Sequence, residues 1–565
     1  MRPRLTAVAL ALALVLPLAG CFGSGGGKDK TPVPATGDDV PLVGQAFPGI
    51  GVAPLPPVAL PWFPSDGASE RTTLEIPSFD AHMIPITIYR PLVANATQQV
   101  PVLLHSHGFT GKRTNTDDGF MPLVAAGFGV VSFDERGHGD SMDDSEVYFM
   151  HPDYEVQDVI KVIDYVSTFD WVLMESPATA SGPRDPVLGA IGGSYGGAYQ
   201  LMGAIFDPRL DSLVPEITWN DIAEALATNG AIKSGWIDLF YVGGTAQQSV
   251  VFADDFLAGF AWATAANTFP AGQAPGIPDL HSRFKEASPV SYPGGIRIPT
   301  LLIQGMPDTL FPLNQAVANL RALEAFNVES ALYTHNGGHI LQVNSLRANT
   351  TPVPVGLQGM PGGKPCGTLT DLQVAWHQTH LLGLGNWTGR PRVCIALEDE
   401  TTVVGATFPL EGTVVQEFTL PGPTPVAQAP AGPRVPLNLF TATADTIVAG
   451  IPRLKGTITL AGADSIVYFS LQRADPTSGL EAIIDDQVMP MRISEPVTSP
   501  RAFELDLGGV ATRLKAGEQL LLVVSTVEPV YAGNAERVPG AVVLGDLVLE
   551  LPTLPNDTPT MTVPA

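Results

Sequence analysis

The stretch Ala190-Ile-Gly-Gly-Ser194-Tyr-Gly-Gly197 contains the pattern G-x-S-x-G, with Gly192, Ser194 and Gly196 at its fixed positions. A mostly apolar run, Val187 to Ile191, leads into it and predicts a buried strand. The segment Tyr195 to Phe206 leads out of it and predicts a helix. Strand, tight glycine turn and helix form the context in which a serine becomes an exposed nucleophile at a sharp elbow. The residue types follow from the chemistry. Small neighbours leave room for the turn, and glycine tolerates its backbone angles. The helix that begins at once aims its N–H groups and positive dipole end at the place where an oxyanion would form.

Working outward from this turn, strands and helices alternate. Arg71–Ile76, Met83–Tyr89, Val100–Ser106 and Gly129–Phe133 read as strands, and Phe120–Ala126 and Val156–Phe169 as helices. In the latter, Val159, Ile160, Val162, Ile163 and Val166 recur at helical spacing. After the elbow, Ser212–Ile217, Pro299–Gln304 and Ser330–Thr334 continue the strands, and Leu313–Phe326 and Leu369–Leu382 the helices. This alternation predicts an α/β fold: a mostly parallel sheet with helices on both faces, spanning 67–395. Residues 220–292 interrupt it with an Ala- and aromatic-rich segment (Trp236, Phe240, Tyr241, Phe252, Phe256, Phe260, Trp262), read as a helical cap whose aromatics mostly form its own core. From about 400 onward helix signals vanish. Short alternating runs such as Gly456–Leu460, Ile466–Leu471, Phe503–Leu507, Leu520–Ser525 and Val542–Leu549 predict an all-β jelly-roll sandwich over 396–552, followed by a loose tail, 553–565.

The chain of 565 residues carries a net charge of −26, which argues against nucleic acid as a partner. A hydrophobic content of 45% with 15% charged residues supports large cores. At the N-terminus, Arg2 and Arg4 precede the apolar run Leu5–Leu18, too short to span a bilayer comfortably. Leu18-Ala19-Gly20-Cys21 follows, and residues 1–21 resemble a bacterial lipoprotein signal whose cysteine becomes the lipidated terminus. That resemblance implies an exported protein held at the extracytoplasmic face of the cell membrane by acyl chains on Cys21. Residues 22–66 are rich in Gly and Pro and read as a tether. Export permits a disulfide, and Cys366–Cys394 is the natural pairing of the remaining thiols.

A serine hydroxyl needs a base, and the base needs an orienting acid. Loops at the carboxyl ends of a parallel sheet converge on one crevice. Three such ends offer Ser194 as nucleophile, Asp308 as acid and His339 as base. Asp308 lies just after the strand-ending Gly305. His339 follows Asn336-Gly337-Gly338, a loop able to carry the ring to the serine, and is preferred to His335, which sits closer to its strand. The oxyanion donors are assigned to the backbone N–H groups of Tyr195 and Phe109. His105 and His107 raise the thought of a metal pair, but no nearby carboxylate or third histidine completes it, so neither a metal nor a cofactor is expected. Asp134-Glu-Arg-Gly-His-Gly-Asp-Ser141, another strand-end loop, is read as structural.

The elbow, the Asp134-Glu-Arg-Gly-His-Gly loop and the order Ser, Asp, His resemble the α/β-hydrolases. The aromatic cap between elbow and acid, the C-terminal sandwich and its phrase Ile484-Asp-Asp-Gln-Val-Met-Pro narrow the resemblance to the X-Pro dipeptidyl-peptidase and cocaine-esterase-like serine hydrolases, from about residue 71 to about 550. The resemblance implies a small ester or short peptide as substrate. Members commonly use a tyrosine hydroxyl as the second oxyanion donor, where this chain has Phe109, so a backbone donor must serve. A peptidase of this kind needs a cap carboxylate for the substrate amine, for which Asp221, Glu224, Asp238, Asp254 and Asp255 are available; an esterase needs only an apolar pocket. The alternative from another class is a non-catalytic, lipid-anchored binding protein that uses its sandwich.

Overall fold

The computed structural model describes residues 67–175, 184–246, 249–272, 276–341, 366–428, 434–462, 464–531, 540–556 and 558. The expected signal, Cys21, the tether and most of the expected tail lie outside the described residues.

The alternation predicted around the elbow builds a ten-stranded sheet. Its strands are β1 (Ser69–Pro77), β2 (Met83–Pro91), β3 (Val102–Ser106), β4 (Gly129–Phe133), β5 (Leu188–Gly193), β6 (Ser212–Glu216), β7 (Thr300–Gly305), β8 (Ser330–His335), β9 (Val393–Ala396) and β10 (Thr402–Gly405). Their spatial order is β1-β2-β4-β3-β5-β6-β7-β8-β9-β10. From β4 to β9 neighbouring strands run parallel, while β1, β2 and β10 are antiparallel additions. The chain steps from β3 outward to β4, then returns past β3 to β5. The direction of winding therefore reverses between β3 and β5, where open α/β sheets form their crevice. The loops after these two strands carry Phe109 and Ser194.

The helices are α1 (Met121–Ala125), α2 (Glu155–Val166), α3 (Tyr195–Phe206), α4 (Ile222–Leu226), α5 (Ser234–Ala246), α6 (Asp254–Ala266), α7 (Leu280–Glu286), α8 (Leu313–Ala325) and α9 (Leu369–Leu382). α2 and α3 pack together beneath the sheet, burying Val159, Val162, Ile163, Leu201 and Met202. The cap comprises α4 to α7. Its aromatics do mostly pack on one another, and Phe149 of the main domain joins them, with ring centroids 4.9 Å from Phe256 and 5.4 Å from Phe284.

Two boundaries differ from expectation. The hydrolase sheet does not end at 395: the β9–β10 hairpin extends it to Gly405. The alternating pattern of a short hairpin shows that it is β structure, not which sheet it joins. At the other end, strand Gly540–Leu554 runs past 552, with Thr553 opposite Val448 and Leu554 opposite Ile447, so a composition that reads as loose tail is partly ladder.

The C-terminal region forms two antiparallel sheets. Strand Gly540–Leu554 is central to a seven-stranded sheet, pairing with Arg453–Ala461, Thr446–Gly450, Val414–Thr419 and Thr424–Gln428. Val435–Thr441, Gln519–Ser525, Ser465–Asp475 and Leu480–Ile493 form the second, four-stranded sheet. Leu454, Ile458, Leu544 and Leu549 from one sheet meet Val467, Phe469, Leu520 and Leu522 from the other in one buried cluster. Cys366 and Cys394 form a disulfide, which ties the segment before α9 to β9.

Candidate active site

The elbow is built from close backbone approach. Ser194 sits at φ 60°, ψ −118°, a region that non-glycine residues occupy only when their surroundings enforce it. A Cβ on Gly192 would lie 2.6 Å from the carbonyl oxygens of both Ser106 and Gly196, so only glycine fits there. Side chains of α3 pin the turn from below. Gln200 Nε2 donates to Gly192 O (2.9 Å) and Gly196 O (3.0 Å), and Tyr199 Oη donates to Leu104 O (2.7 Å). From the side, Ser194 N–H donates to Glu216 O on β6 (2.9 Å), and Thr218 Oγ1 donates to Ser194 O (2.9 Å).

The acid and base loops come from β7 and β8, two and three strands away. Asp308 is fully buried. Its Oδ1 accepts the N–H groups of Leu310 (2.9 Å) and Phe311 (2.7 Å). Its Oδ2 lies 2.6 Å from His339 Nδ1 and accepts the His339 N–H at 3.1 Å. His339 Nε2 lies 2.8 Å from Ser194 Oγ. The three predicted residues thus form one hydrogen-bonded chain, buried from solvent. Trp236 and Phe311 enclose the imidazole edge-on, at 6.0 Å and 5.2 Å between centroids. An ionised Asp308 only accepts, so Nδ1 donates and Nε2 is left to accept the serine proton. His335, the competing histidine, is elsewhere: its Nδ1 accepts the Gly337 N–H (3.0 Å), and its Nε2 faces Glu216 at 3.4 Å.

Tyr195 is the first residue of α3, so its N–H has no preceding helical turn to accept it. Its side chain points into the core, where the hydroxyl donates to Glu155 Oε1 (3.2 Å), and burial together with the Glu155 carboxylate pushes the phenol well above its ordinary value. The ring of Phe109 packs 5.7 Å from that of Tyr195, 5.1 Å from Phe240 and 5.8 Å from Phe252, which makes this side of the crevice apolar.

The neighbouring polar residues are engaged structurally. His105 Nδ1 meets Ser132 Oγ (2.9 Å), and burial pulls its pKa down to about 3. His107 Nδ1 donates to Gly108 O (2.8 Å), and its Nε2 accepts the Glu135 N–H (3.1 Å). In the Asp134–Ser141 loop, Asp134 accepts the Arg113 N–H at 2.5 Å and pairs with the Arg113 guanidinium; Arg136 spans Asp158 (2.8 Å) and Asp80 (2.8 Å). Of the cap carboxylates, Asp221 caps α4 and pairs with Lys285, Asp255 pairs with Arg283, and Glu224 accepts the Asn229 N–H at 2.8 Å. Asp238 and Asp254 are exposed.

Sequence reading missed three contributors. Lys233 and Thr309 lie beside the acid, and Gln487 reaches it from the sandwich, its Nε2 donating to Met306 O and Asp308 O, each at 3.1 Å. The phrase containing Gln487 signalled the family, but nothing in it indicated contact with the acid loop.

The fold and this geometry define a serine hydrolase of the α/β-hydrolase class. Residues 80–341, which hold Ser194, Asp308 and His339, match the family model described as X-Pro dipeptidyl-peptidase (S15 family). The resemblance drawn from the sequence is borne out over these residues, which are similar to the X-Pro dipeptidyl-peptidase (S15) family. No curated protein matches the chain by sequence. Among solved structures, a CocE/NonD family hydrolase from Staphylococcus aureus is 15% identical with a TM-score of 0.61, covering 86% of this chain and 93% of its own. An aminopeptidase from a marine sediment archaeon, Thaumarchaeota archaeon, is 14% identical with a TM-score of 0.59, covering 88% and 98%. An alpha-amino acid ester hydrolase is 16% identical with a TM-score of 0.58, covering 87% and 98%. These likenesses establish a shared fold extending through both the hydrolase domain and the sandwich.

Proposed function

We propose that the chain hydrolyses an ester or amide bond through an acyl-enzyme on Ser194. The observation that carries this reading is the unbroken chain from Ser194 Oγ to His339 (2.8 Å) to Asp308 (2.6 Å). His339 Nε2 takes the serine proton as Oγ bonds to the carbonyl carbon. The resulting oxyanion is held by the backbone N–H groups of Tyr195 and Phe109, each such donor being worth about 3–4 kcal/mol. His339 then gives its proton to the leaving alkoxide or amine, and the carbon–leaving-group bond breaks. Water, deprotonated by the same imidazole, releases the acid and restores the serine. Asp308 stays ionised and holds the imidazolium. The Phe109, Phe240 and Phe252 rings favour an apolar acyl group. Asp221 and Asp255 are paired with Lys285 and Arg283 and Glu224 accepts a backbone N–H, which leaves the exposed Asp238 and Asp254 as the cap carboxylates open to a substrate amine.

In the same reading the enzyme works outside the cytoplasm, tethered through lipidated Cys21. Its test is fractionation: Cys21→Ser leaves the membrane fraction if the anchor is real, and stays in it if it is not.

The activity is tested by labelling with a fluorophosphonate, mapped by peptide mass, beside a panel of p-nitrophenyl esters and Xaa-Pro anilides. Label on Ser194, lost in Ser194→Ala, with ester turnover is the expected result. Preference for the anilides would make the enzyme a peptidase. A folded protein that takes no label and turns over nothing would sink the reading in favour of a binding protein.

A further inference from the structure

Lys233 begins the turn that leads into α5, and among the described residues it is the one lysine in the interior, 3% exposed. A buried ammonium needs partners. Lys233 finds them in the acid loop: its Nζ donates to Thr309 O (2.8 Å) and Leu310 O (2.9 Å), the two residues directly after Asp308. The same loop is joined to the base. Thr309 donates to His339 O through both its N–H (2.9 Å) and its Oγ1 (3.0 Å). One helical turn on, Trp236 Nε1 lies 3.3 Å from Thr309 Oγ1. The start of one cap helix thus holds the loops of both the acid and the base.

We propose that Lys233 is a positioning residue for hydrolysis, clamping the acid loop from the cap and placing a positive charge beside Asp308. This rests on the hydrolase reading above and makes the seating of the cap a condition of triad alignment. The charged groups facing Lys233 are Asp308 from the acid loop and Glu224 from α4, the latter shared with Asp221 and Lys285. His339 faces Asp308, the Ser194 hydroxyl and the uncharged rings of Trp236 and Phe311. Burial pulls the Lys233 ammonium down to about 8, against the opposing pull of Asp308 and Glu224. It is therefore still charged between about pH 6 and 7, where an imidazole base ordinarily gains its proton. A positive charge next to Asp308 weakens what that carboxylate offers to an imidazolium. Its removal makes protonation of the base easier and moves the acid limb of kcat/KM to higher pH.

Three variants of the full chain separate the parts of the proposal. Lys233→Met removes charge and hydrogen bonds; Lys233→Gln keeps N–H donors but removes the charge; Lys233→Arg keeps both. With a p-nitrophenyl ester and active sites counted by fluorophosphonate, Lys233→Met is expected to lower kcat about tenfold with KM within about twofold. Its acid limb should rise by about half a pH unit or more. Lys233→Gln should show the rise in the limb with a smaller loss of kcat, and Lys233→Arg should keep the wild-type limb. Should Lys233→Met fail to fold by circular dichroism, Lys233→Gln carries the test. A limb unmoved in the folded neutral variants overturns the proposal even if kcat falls, because loose packing alone lowers rate without shifting titration. Wild-type protein that neither labels nor turns over ester fails the hydrolase reading itself, a distinguishable result.

Discussion

Ser194 Oγ and His339 Nε2 lie 2.8 Å apart although 145 residues separate them along the chain. That contact has direction only because Asp308 occupies the far side of the ring, 2.6 Å from Nδ1. An asparagine at 308 could donate to Nδ1 and leave the proton on Nε2, facing the serine. Asp308→Asn should lower kcat by about 10³–10⁴-fold with the fold unchanged, measured by ester hydrolysis beside circular dichroism. A loss under tenfold would mean that another group orients the base.

Gly192 combines φ 143° with a Cβ position already occupied by two carbonyl oxygens at 2.6 Å. Gly192→Ala should destabilise the protein by about 2–4 kcal/mol in urea unfolding, from backbone strain together with overpacking, and displace the nucleophile. Gly243 in α5 is the control. No heavy atom lies within 4 Å of a Cβ built there, so Gly243→Ala should be neutral or slightly stabilising. Equal effects at the two sites would refute the steric account of the elbow.

Glu135 is fully buried beneath the site, with its carboxyl beside the Ser106 hydroxyl. Burial, with the nearby charges of Glu155, Asp158 and Asp134, pushes its carboxyl well above the ordinary carboxylate range. The folded protein therefore keeps a proton that the unfolded chain releases as pH rises past its ordinary value. The stability contribution of that proton is present at low pH and declines as pH rises toward the folded value. Glu135→Gln has no such decline. Relative to wild type it should gain about 1 kcal/mol or more at pH 8 compared with pH 5, read from unfolding midpoints. The same difference at both values would contradict a protonated Glu135.

The Cys366–Cys394 bridge closes a sequence separation of 28 residues. In the chain-entropy view this restricts the unfolded state by about 3–4 kcal/mol. The bridge brackets α9, which docks on β5 and β6, away from the loops that carry acid and base. A Cys366→Ser/Cys394→Ser double variant should lower the melting temperature yet keep kcat at 25 °C within about twofold of wild type. A large loss of kcat in protein that remains folded would show that the bridge also shapes the site.

Much of this protein is legible in its sequence because some signals are local. Strand, glycine turn and helix around Ser194 are fixed by backbone sterics within eight residues. The alternation of apolar strands with amphipathic helices dictates the parallel sheet, and the sheet dictates that strand-end loops meet, which is why Asp308 and His339 could be named beside Ser194. Other features belong to no local stretch. Lys233, in Ala231-Ile-Lys-Ser-Gly, has the sequence context of an ordinary solvated lysine; only the arrival of Thr309 and Leu310 from more than seventy residues away makes it interior. Gln487 reads as one polar residue of an alternating strand until the sandwich docks it on the carbonyl of Asp308. The β9–β10 hairpin has the same alternating pattern whichever sheet it joins, and the edge offered by β8 decides. Local sterics and periodicity thus determined the elements and the reactive residues, whereas burial and charge environment were decided by tertiary structure, because a side chain's dielectric surroundings are supplied by parts of the chain remote from it in sequence.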